Sequence, residues 1–238
     1  MVVKEVRTNF HSADHYCYKA LTSKWVSCLP MIGEVNSFKG FLLEADPIPE
    51  SRAEGLKRGM ILDLYPHLLL LVGLAFQTLD IQVDDLLVAR YQGAPIDSET
   101  FAWVNFRVGQ TRNHLTAGKA VGRSPIKLVM AVGDRGRLVA RYDHGGYDQL
   151  FFFPCLGQSR ILWQDRVGDG YQEFVAQMLQ GRSFGLDLGF GMGVLAAVET
   201  IKAGVPAQEL PSYNPSDSLG QILKKAGRLK AGVPVAKG

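Results

Sequence analysis

The chain has 238 residues, of which 47% are hydrophobic and 21% charged, and its formal net charge is +3. These values exclude a disordered or collagen-like chain and are typical of a globular one that buries a core. The longest apolar run, residues 68–76, is much shorter than the ~20 residues of a bilayer-spanning helix, so no membrane partner is predicted. The mildly basic charge permits a nucleic-acid partner without requiring one.

The cysteines and histidines are scattered along the sequence. Cys17, Cys28 and Cys155 have no C-x-x-C spacing, which argues against a zinc ribbon or a disulfide framework. Their odd number and the lack of a signal-peptide pattern predict a reducing, cytoplasmic location. No metal site and no other cofactor is predicted.

The first hundred residues predict a mixture of helix and strand. Residues 2–10 alternate loosely, as strands do, and a helix over residues 15–26 is predicted to end before Pro30. Residues 46–51 have the composition of a loop. The apolar stretch over residues 65–90 is predicted to be mostly helical.

From Phe101 onward the pattern becomes that of strands. Residues 101–108 are rich in aromatic and β-branched side chains. Two further pairs of strands are predicted, the first joined by a tight turn at residues 133–136: 126–132 with 138–142, and 149–154 with 161–165. A helix over residues 171–180, a glycine-rich loop and a strand over residues 194–201 complete an α+β, mostly antiparallel second half.

The glycine-rich loop, residues 181–193, is the sharpest motif. It contains five glycines in 13 residues. Glycine backbone can take positive φ and leaves main-chain N–H groups accessible, so such a loop is typical of an anion-binding, often phosphate-binding, site.

One interpretation of this loop is a methyltransferase motif. Residues 186–193 resemble the first motif of S-adenosylmethionine-dependent methyltransferases, an acidic residue followed by G-x-G-x-G, with residues 194–203 as the helix behind it. In that family several β–α units follow the loop, whereas only 45 residues follow Gly193. This interpretation therefore requires a small, circularly permuted domain.

The favoured interpretation is a resemblance to the repeat-associated (RAMP) superfamily of CRISPR RNA-binding proteins. Gly181, Gly189 and Gly191 match three of the four glycines of that family's loop, Phe190 and Met192 match its apolar positions, and Ser183 replaces the remaining glycine. The resemblance implies a ferredoxin-like C-terminal half and an RNA-binding subunit of a guide-RNA ribonucleoprotein, either structural or processing. Its partners would be RNA and other protein subunits.

A basic segment supports an RNA partner. Residues 107–141 carry eight basic residues and one acid, and residues 110–124 are expected to be a polar loop between strands. Arg112, Lys119 and Arg123 would contact phosphates there, joined by Gly181, Arg182, Gly189 and Gly191 of the glycine-rich loop. The alternative is a solvated surface loop whose charges are balanced elsewhere.

His15 and Lys19 are the catalytic candidates if the resemblance extends to an RNA-cleaving member. They are spaced i, i+4, which places them on one side of a helix. An imidazole would act as acid or base in a metal-independent attack by a 2′-hydroxyl, and lysine would stabilise the charge. The alternative is an ordinary surface histidine.

The predicted organisation has three parts. Residues 1–100 form a mixed N-terminal region, residues 101–205 the ferredoxin-like region and residues 206–238 a C-terminal extension. A viral structural or assembly protein remains a further alternative, because a mostly antiparallel protein of this size need carry no motif.

Overall fold

One nine-stranded sheet forms the centre of the computed structural model. The structure describes residues 15–168, 188–204 and 211–228, together with residues 172, 175 and 176. The predicted strand over residues 2–10, the side chain of His11, most of the predicted helix over residues 171–180, and both Gly181 and Arg182 lie outside the described residues.

The strands run in the spatial order β8-β7-β6-β5-β1-β4-β3-β2-β9. All neighbours pair antiparallel except β1 with β4 and β2 with β9, which are parallel. The bounds are β1 Val35–Leu43, β2 Ile81–Tyr91, β3 Phe101–Val108, β4 Thr111–Gly118, β5 Ile126–Gly133, β6 Gly136–His144, β7 Tyr147–Pro154, β8 Arg160–Arg166 and β9 Ser212–Tyr213.

Helices cover one face of the sheet. α4 packs on β1, β3 and β4, α2 packs on β6 and β7, and α5 packs on α4 and β2. The bounds are α1 His15–Tyr18, α2 Ala20–Cys28, a 3₁₀ helix Leu29–Ile32, α3 Glu50–Leu56, α4 Met60–Phe76, α5 Leu188–Ala203 and α6 Leu219–Lys225.

The two faces of the sheet differ because side chains alternate along each strand. In β3, Val104 and Phe106 are fully buried on the helix-covered face, whereas Trp103, Asn105 and Arg107 are half-buried on the other. We call this second face, to which Lys39 and His114 also project by register, the open face.

Close packing of α4 against α5 depends on Gly73. A Cβ at this position would lie 2.6 Å from Cζ of Phe190, so a larger residue would require the Phe190 ring to shift. From α5, Val194, Ala197, Val198 and Ile201 are buried at helical spacing.

The start of α4 is held by Glu99, which lies between β2 and β3. Gly59 precedes the helix with φ of 93°, and a Cβ there would collide with the Glu99 carboxylate. The N–H of Ile61 donates to Oε1 of Glu99 and the N–H of Met60 donates to its carbonyl oxygen, each at 3.1 Å. Burial raises the pKa of Glu99, while the Ile61 hydrogen bond and the charge of Lys202 act in the opposite direction.

The expected ferredoxin-like C-terminal half is wrong. Strands β3 to β8 follow one another without an intervening helix, so the βαββαβ order of that fold is not formed. The sheet instead recruits β1 and β2 from the first hundred residues and places them beside β3, β4 and β5. The three-part division at residues 100 and 205 stays a prediction.

The predicted loop over residues 110–124 is also wrong, because β4 occupies most of it and lies between β1 and β3. Its polar composition is typical of a loop, but it forms a strand whose residues Asn113, Leu115 and Ala117 are buried beneath the helices. The helix expected over residues 65–90 ends at Phe76, where Gln77 takes a left-handed conformation with φ of 56°, and β2 follows.

The strand expected over residues 194–201 is wrong as well, since these residues lie in α5. Gly189 and Gly191 belong to the first turn of that helix and not to a phosphate-binding loop. Three predictions are confirmed: the strand Phe101–Val108, the β5–β6 hairpin with its turn at residues 133–136, and the strand pair predicted at 149–154 and 161–165, which is β7 and β8.

Among the described residues, no single helix is both long enough and apolar enough to cross a membrane. Only α3 and α4 taken together meet those criteria, and they are bent by 72° at the break between them. Ten residues of α4 are buried within the protein itself.

Replacing Glu99 with alanine should destabilise the fold by about 1–2 kcal/mol, because the N–H of Ile61 loses its acceptor at the start of α4. Chemical denaturation with circular dichroism measures this. Glu199→Ala, on the exposed side of α5, is the matched control and should change stability by less than about 0.5 kcal/mol. Equal stability of the two variants would contradict the role of Glu99.

Candidate functional site

A group of tyrosines surrounds His67 on the helix-covered side of the sheet. The ring of Tyr16 lies 5.3 Å from that of His67, and Tyr142 meets Tyr16 edge-on at the same centroid distance. The hydroxyls of Tyr142 and Thr22 share a hydrogen bond of 2.9 Å. We call Tyr16, His67 and Tyr142 the helix-side cluster.

A buried ion pair positions this cluster. Nζ of Lys19 lies 3.5 Å from the Asp148 carboxylate, and both side chains are less than 10% exposed. The same carboxylate accepts the N–H of Asp143 at 2.8 Å. The Lys19 ammonium also lies 5.9 Å from the centre of the Tyr16 ring, a cation–π contact that orients the ring.

A narrow cleft opens beside the cluster, between α4 and strands β1, β5 and β6. Its free volume is about 10 Å³, which is the space of about one water molecule. Lys127 lies at the cleft and pairs with Asp143 at 3.3 Å. The remaining walls are the helix-side cluster and the apolar residues Phe41, Leu42, Leu68, Leu71, Leu128 and Val129.

Asp63 precedes His67 by four residues and is half-buried, as His67 is. On a helix this spacing puts the two residues on the same side, one turn apart.

The other two histidines whose side chains the structure describes are less suited to proton transfer. His144 lies in an exposed turn beside the guanidinium of Arg141, at 3.0 and 3.1 Å from its ring nitrogens. Both ring nitrogens of His114 are engaged, Nδ1 with Oδ1 of Asn105 at 3.0 Å and Nε2 with Oγ1 of Thr116 at 2.6 Å. His67, half-buried and at the cleft, is the acid–base candidate that we consider below.

His114 belongs to a larger and more polar pocket on the open face. The pocket has a volume of about 600 Å³ and is formed by β1, β2, β3 and β4. It is lined by Phe38, Lys39, Asp84, Asp85, Asn105, Phe106, Arg107, Arg112, Asn113 and His114.

Burial, together with the charge of Lys39, lowers the pKa of His114 to about 4. Its ring packs between Trp103 and Phe41, at centroid distances of 5.1 and 5.7 Å. The imidazole is therefore neutral at physiological pH, and its two hydrogen bonds hold it in a fixed position in the wall of the pocket.

The catalytic and RNA-binding residues predicted from the sequence lie in separate parts of the structure. His15 is the first residue of α1, Lys19 is buried against Asp148, and Lys119 is buried in an ion pair with Glu44. Arg112 lines the open-face pocket and Arg123 is exposed in the following loop. These individual assignments stay predictions. In the part of the chain that the structure describes, no three His, Cys, Asp or Glu side chains lie close enough to hold a metal ion.

No protein-family model matches the sequence, and no curated protein does. Solved structures share the fold. A UDP-N-acetylglucosamine 3-dehydrogenase from Acidithiobacillus ferrooxidans aligns with a TM-score of 0.63 and 16% identity, over 81% of this chain and 60% of that one. A 3-ketoreductase from Actinomadura kijaniata, in complex with TDP-benzene and NADP, aligns with a TM-score of 0.61 and 14% identity, over 87% and 63%.

A levoglucosan dehydrogenase in complex with NADH and L-sorbose also aligns, with a TM-score of 0.63 and 14% identity, over 81% of this chain and 63% of that one. At such identities the likeness shows the fold alone. The chain spans about three fifths of the length of these proteins.

These neighbours are oxidoreductases of the Gfo/Idh/MocA type. The resemblance to the RAMP superfamily, and with it the CRISPR RNA-binding function, is therefore wrong. The methyltransferase and viral structural alternatives gain no support either. The glycine motif misled because three matching glycines carry little information without the elements that should flank them, and here they lie in a helix.

One feature of the sequence could have identified His67 as a candidate functional residue, but the interpretation relied on the glycine motif instead. Asp63 and His67 are the only charged or titratable residues apart from Tyr65 in the otherwise apolar stretch of α4. A polar pair at i, i+4 within such a helix indicates a role beyond packing. Tyr16 and Tyr142 carried no comparable signal, because only the folded chain brings them to His67.

Acidification should destabilise the protein through His114. Because the folded pKa is about 4 and the unfolded one about 6.5, the unfolded state binds the proton first. His114 therefore contributes stability above pH 6.5 that is lost as the pH falls towards 4, by on the order of 2 kcal/mol. Unfolding free energies of the wild type and His114→Gln, measured across this range, should differ in slope. His144→Gln should keep the wild-type slope, and a His114→Gln slope equal to the wild type would overturn the assignment.

Proposed function

We propose that the chain is the substrate-binding part of an oxidoreductase that interconverts a hydroxyl and a carbonyl group on a sugar or nucleotide sugar. The proposal is supported by a fold shared with dehydrogenases and a ketoreductase of such compounds. The observation that carries it is the placement of His67 with two tyrosines beside a cleft in that fold.

The described residues do not fit a nicotinamide dinucleotide. Dinucleotides bind at the switch point of a doubly wound parallel sheet, against a glycine-rich turn that leads into a helix. Here only two of the eight strand pairings are parallel, and no described βαβ unit has such a turn between a strand and its helix. Our proposal therefore assigns to these residues substrate binding and proton transfer, and no step that involves the dinucleotide.

The helix-side cluster can bind and ionise a sugar hydroxyl. The cleft beside His67 has the volume of one water molecule, which is also about the size of one hydroxyl group. In the oxidative direction the imidazole accepts the proton of that hydroxyl, and in the reductive direction it returns the proton to the oxygen.

The wall and rim of the cleft would hold the rest of the sugar. Tyr16 and Tyr142 are buried and form the wall beside His67, and the Tyr142 hydroxyl shares a hydrogen bond with Thr22. The Lys19–Asp148 ion pair holds Tyr16 in place, and Lys127 brings an ammonium group to the cleft. Pyranoses and nucleotide sugars are the substrate class that this chemistry favours.

A cytoplasmic location is part of the proposal. Cys28 and Cys155 are free thiols in the structure, which is typical of a reducing compartment.

Ligand-detected NMR of the purified chain tests the proposal with UDP-N-acetylglucosamine, TDP-glucose and unphosphorylated hexoses as probes. At least one probe should bind with a dissociation constant on the order of 1 mM or below. His67→Ala should weaken that binding about tenfold, because it removes one hydrogen bond to the sugar.

His144→Ala, in an exposed turn outside the cleft, is the matched control and should bind as the wild type does. Failure of every sugar probe to bind, or equal binding by His67→Ala and the control, would refute the proposal.

A further inference from the structure

We propose that the open-face pocket is a second binding site, which takes the phosphate or carboxylate group of a small organic anion between Arg112 and Lys39. The pocket lies across the sheet from His67, so the inference does not rest on the proposed function. Its volume of about 600 Å³ is within the range of small-molecule sites and exceeds what a bare ion needs.

The first argument is an arrangement of like charges. Arg107 on β3 and Arg112 on β4 are directly opposite each other in the strand register. Lys39 on β1 is opposite His114, two residues along the same face from Arg112. Like charges in facing positions of a sheet are destabilising, so three cations on adjacent strands need compensation.

The acids in the pocket compensate only part of this charge. Asp84 pairs with Arg107 at 2.8 Å, and Asp85 pairs with Arg228 at 2.7 Å. Within the described part of the chain, neither Lys39 nor Arg112 has a carboxylate within ion-pair distance. An anionic ligand would supply the missing negative charge.

The second argument is the supply of hydrogen-bond donors. Asn113 is occupied, since its Oδ1 accepts the N–H of Phe38 and its Nδ2 donates to the carbonyl of Thr111. Asn105 uses only its oxygen, towards Nδ1 of His114. Its amide nitrogen, the Arg112 guanidinium and the Lys39 ammonium therefore remain available on one face, and a guanidinium fork is well matched to an oxyanion.

The third argument is rigidity. Asn105, Arg112 and Lys39 project from the interior of paired strands, and His114 among them is locked by two hydrogen bonds. A site built on strands holds its donors in place before the ligand arrives, which reduces the entropic cost of binding. Phe41 and Trp103, which pack on His114, give the neighbouring surface an apolar character that suits the organic part of a ligand.

Isothermal titration calorimetry of the full chain in low-salt buffer tests the proposal with inorganic phosphate, glucose 6-phosphate and gluconate as probes. Glucose 6-phosphate or gluconate should bind with a dissociation constant on the order of 1 mM or below, and more tightly than inorganic phosphate. Tighter binding of the phosphate ester would identify a phosphate site, and tighter binding of gluconate a carboxylate site. Affinity should fall as salt is added, because the contacts are ionic.

Arg112→Gln and Lys39→Gln should each weaken binding at least tenfold, whereas Arg123→Gln, which removes an exposed cation outside the pocket, should leave it unchanged. The NMR-detected pKa of His114 should rise on binding, because the anion offsets the charge of Lys39. Binding of none of the probes at about 10 mM, or equal weakening by Arg123→Gln, would overturn the proposal. Binding of inorganic phosphate as tight as that of both organic anions would overturn it too, as it would indicate an adventitious ion only.

Discussion

The packing of α4 on the centre of the sheet is the interaction on which the rest of the structure depends. Ten residues of this helix are buried, and the helix contacts β1, β3, β4 and α5. Burial of each large apolar side chain contributes about 1.5–3 kcal/mol. No other described element buries as many residues as this helix does. The parallel pairing of β1 with β4 follows, because the chain between them includes this helix and returns to the sheet in the same direction.

Covering only one face gives the sheet two different chemistries. On the helix side, Tyr16 packs on His67 and Tyr142, beside the enclosed ion pair of Lys19 and Asp148. On the open face, three cations and two acids lie at the surface of a wide pocket. Neighbouring residues of one strand serve both sides, as Leu42 lines the cleft beside α4 while Lys39 faces the anion pocket. Substitutions at the two sites should therefore act independently.

Local interactions account for the parts of the fold that the sequence predicted well. The β5–β6 hairpin is specified by the turn Gly133 to Gly136, whose residues meet within a few positions, and β3 by its own alternation. β4 was missed because Arg112, Asn113 and His114 look like a solvated loop until β1 and β3 are present to pair with them. Glutamine at position 77 is not a residue type that typically ends a helix. The sequence therefore predicted α4 and β2 as one continuous helical stretch.

By itself the sequence determined several local elements: the strand β3, the β5–β6 hairpin and the pair β7 and β8. Those features depend on hydrophobic periodicity and turn chemistry, which act over a few residues. Only the tertiary structure decided that Tyr16 meets both His67 and Tyr142, that Lys19 pairs with Asp148, and that Lys39 and Arg112 line one pocket on the opposite face. These contacts join residues that are far apart in the chain. They are brought together by the packing of α4 and by the strand register, neither of which is encoded in the local sequence pattern.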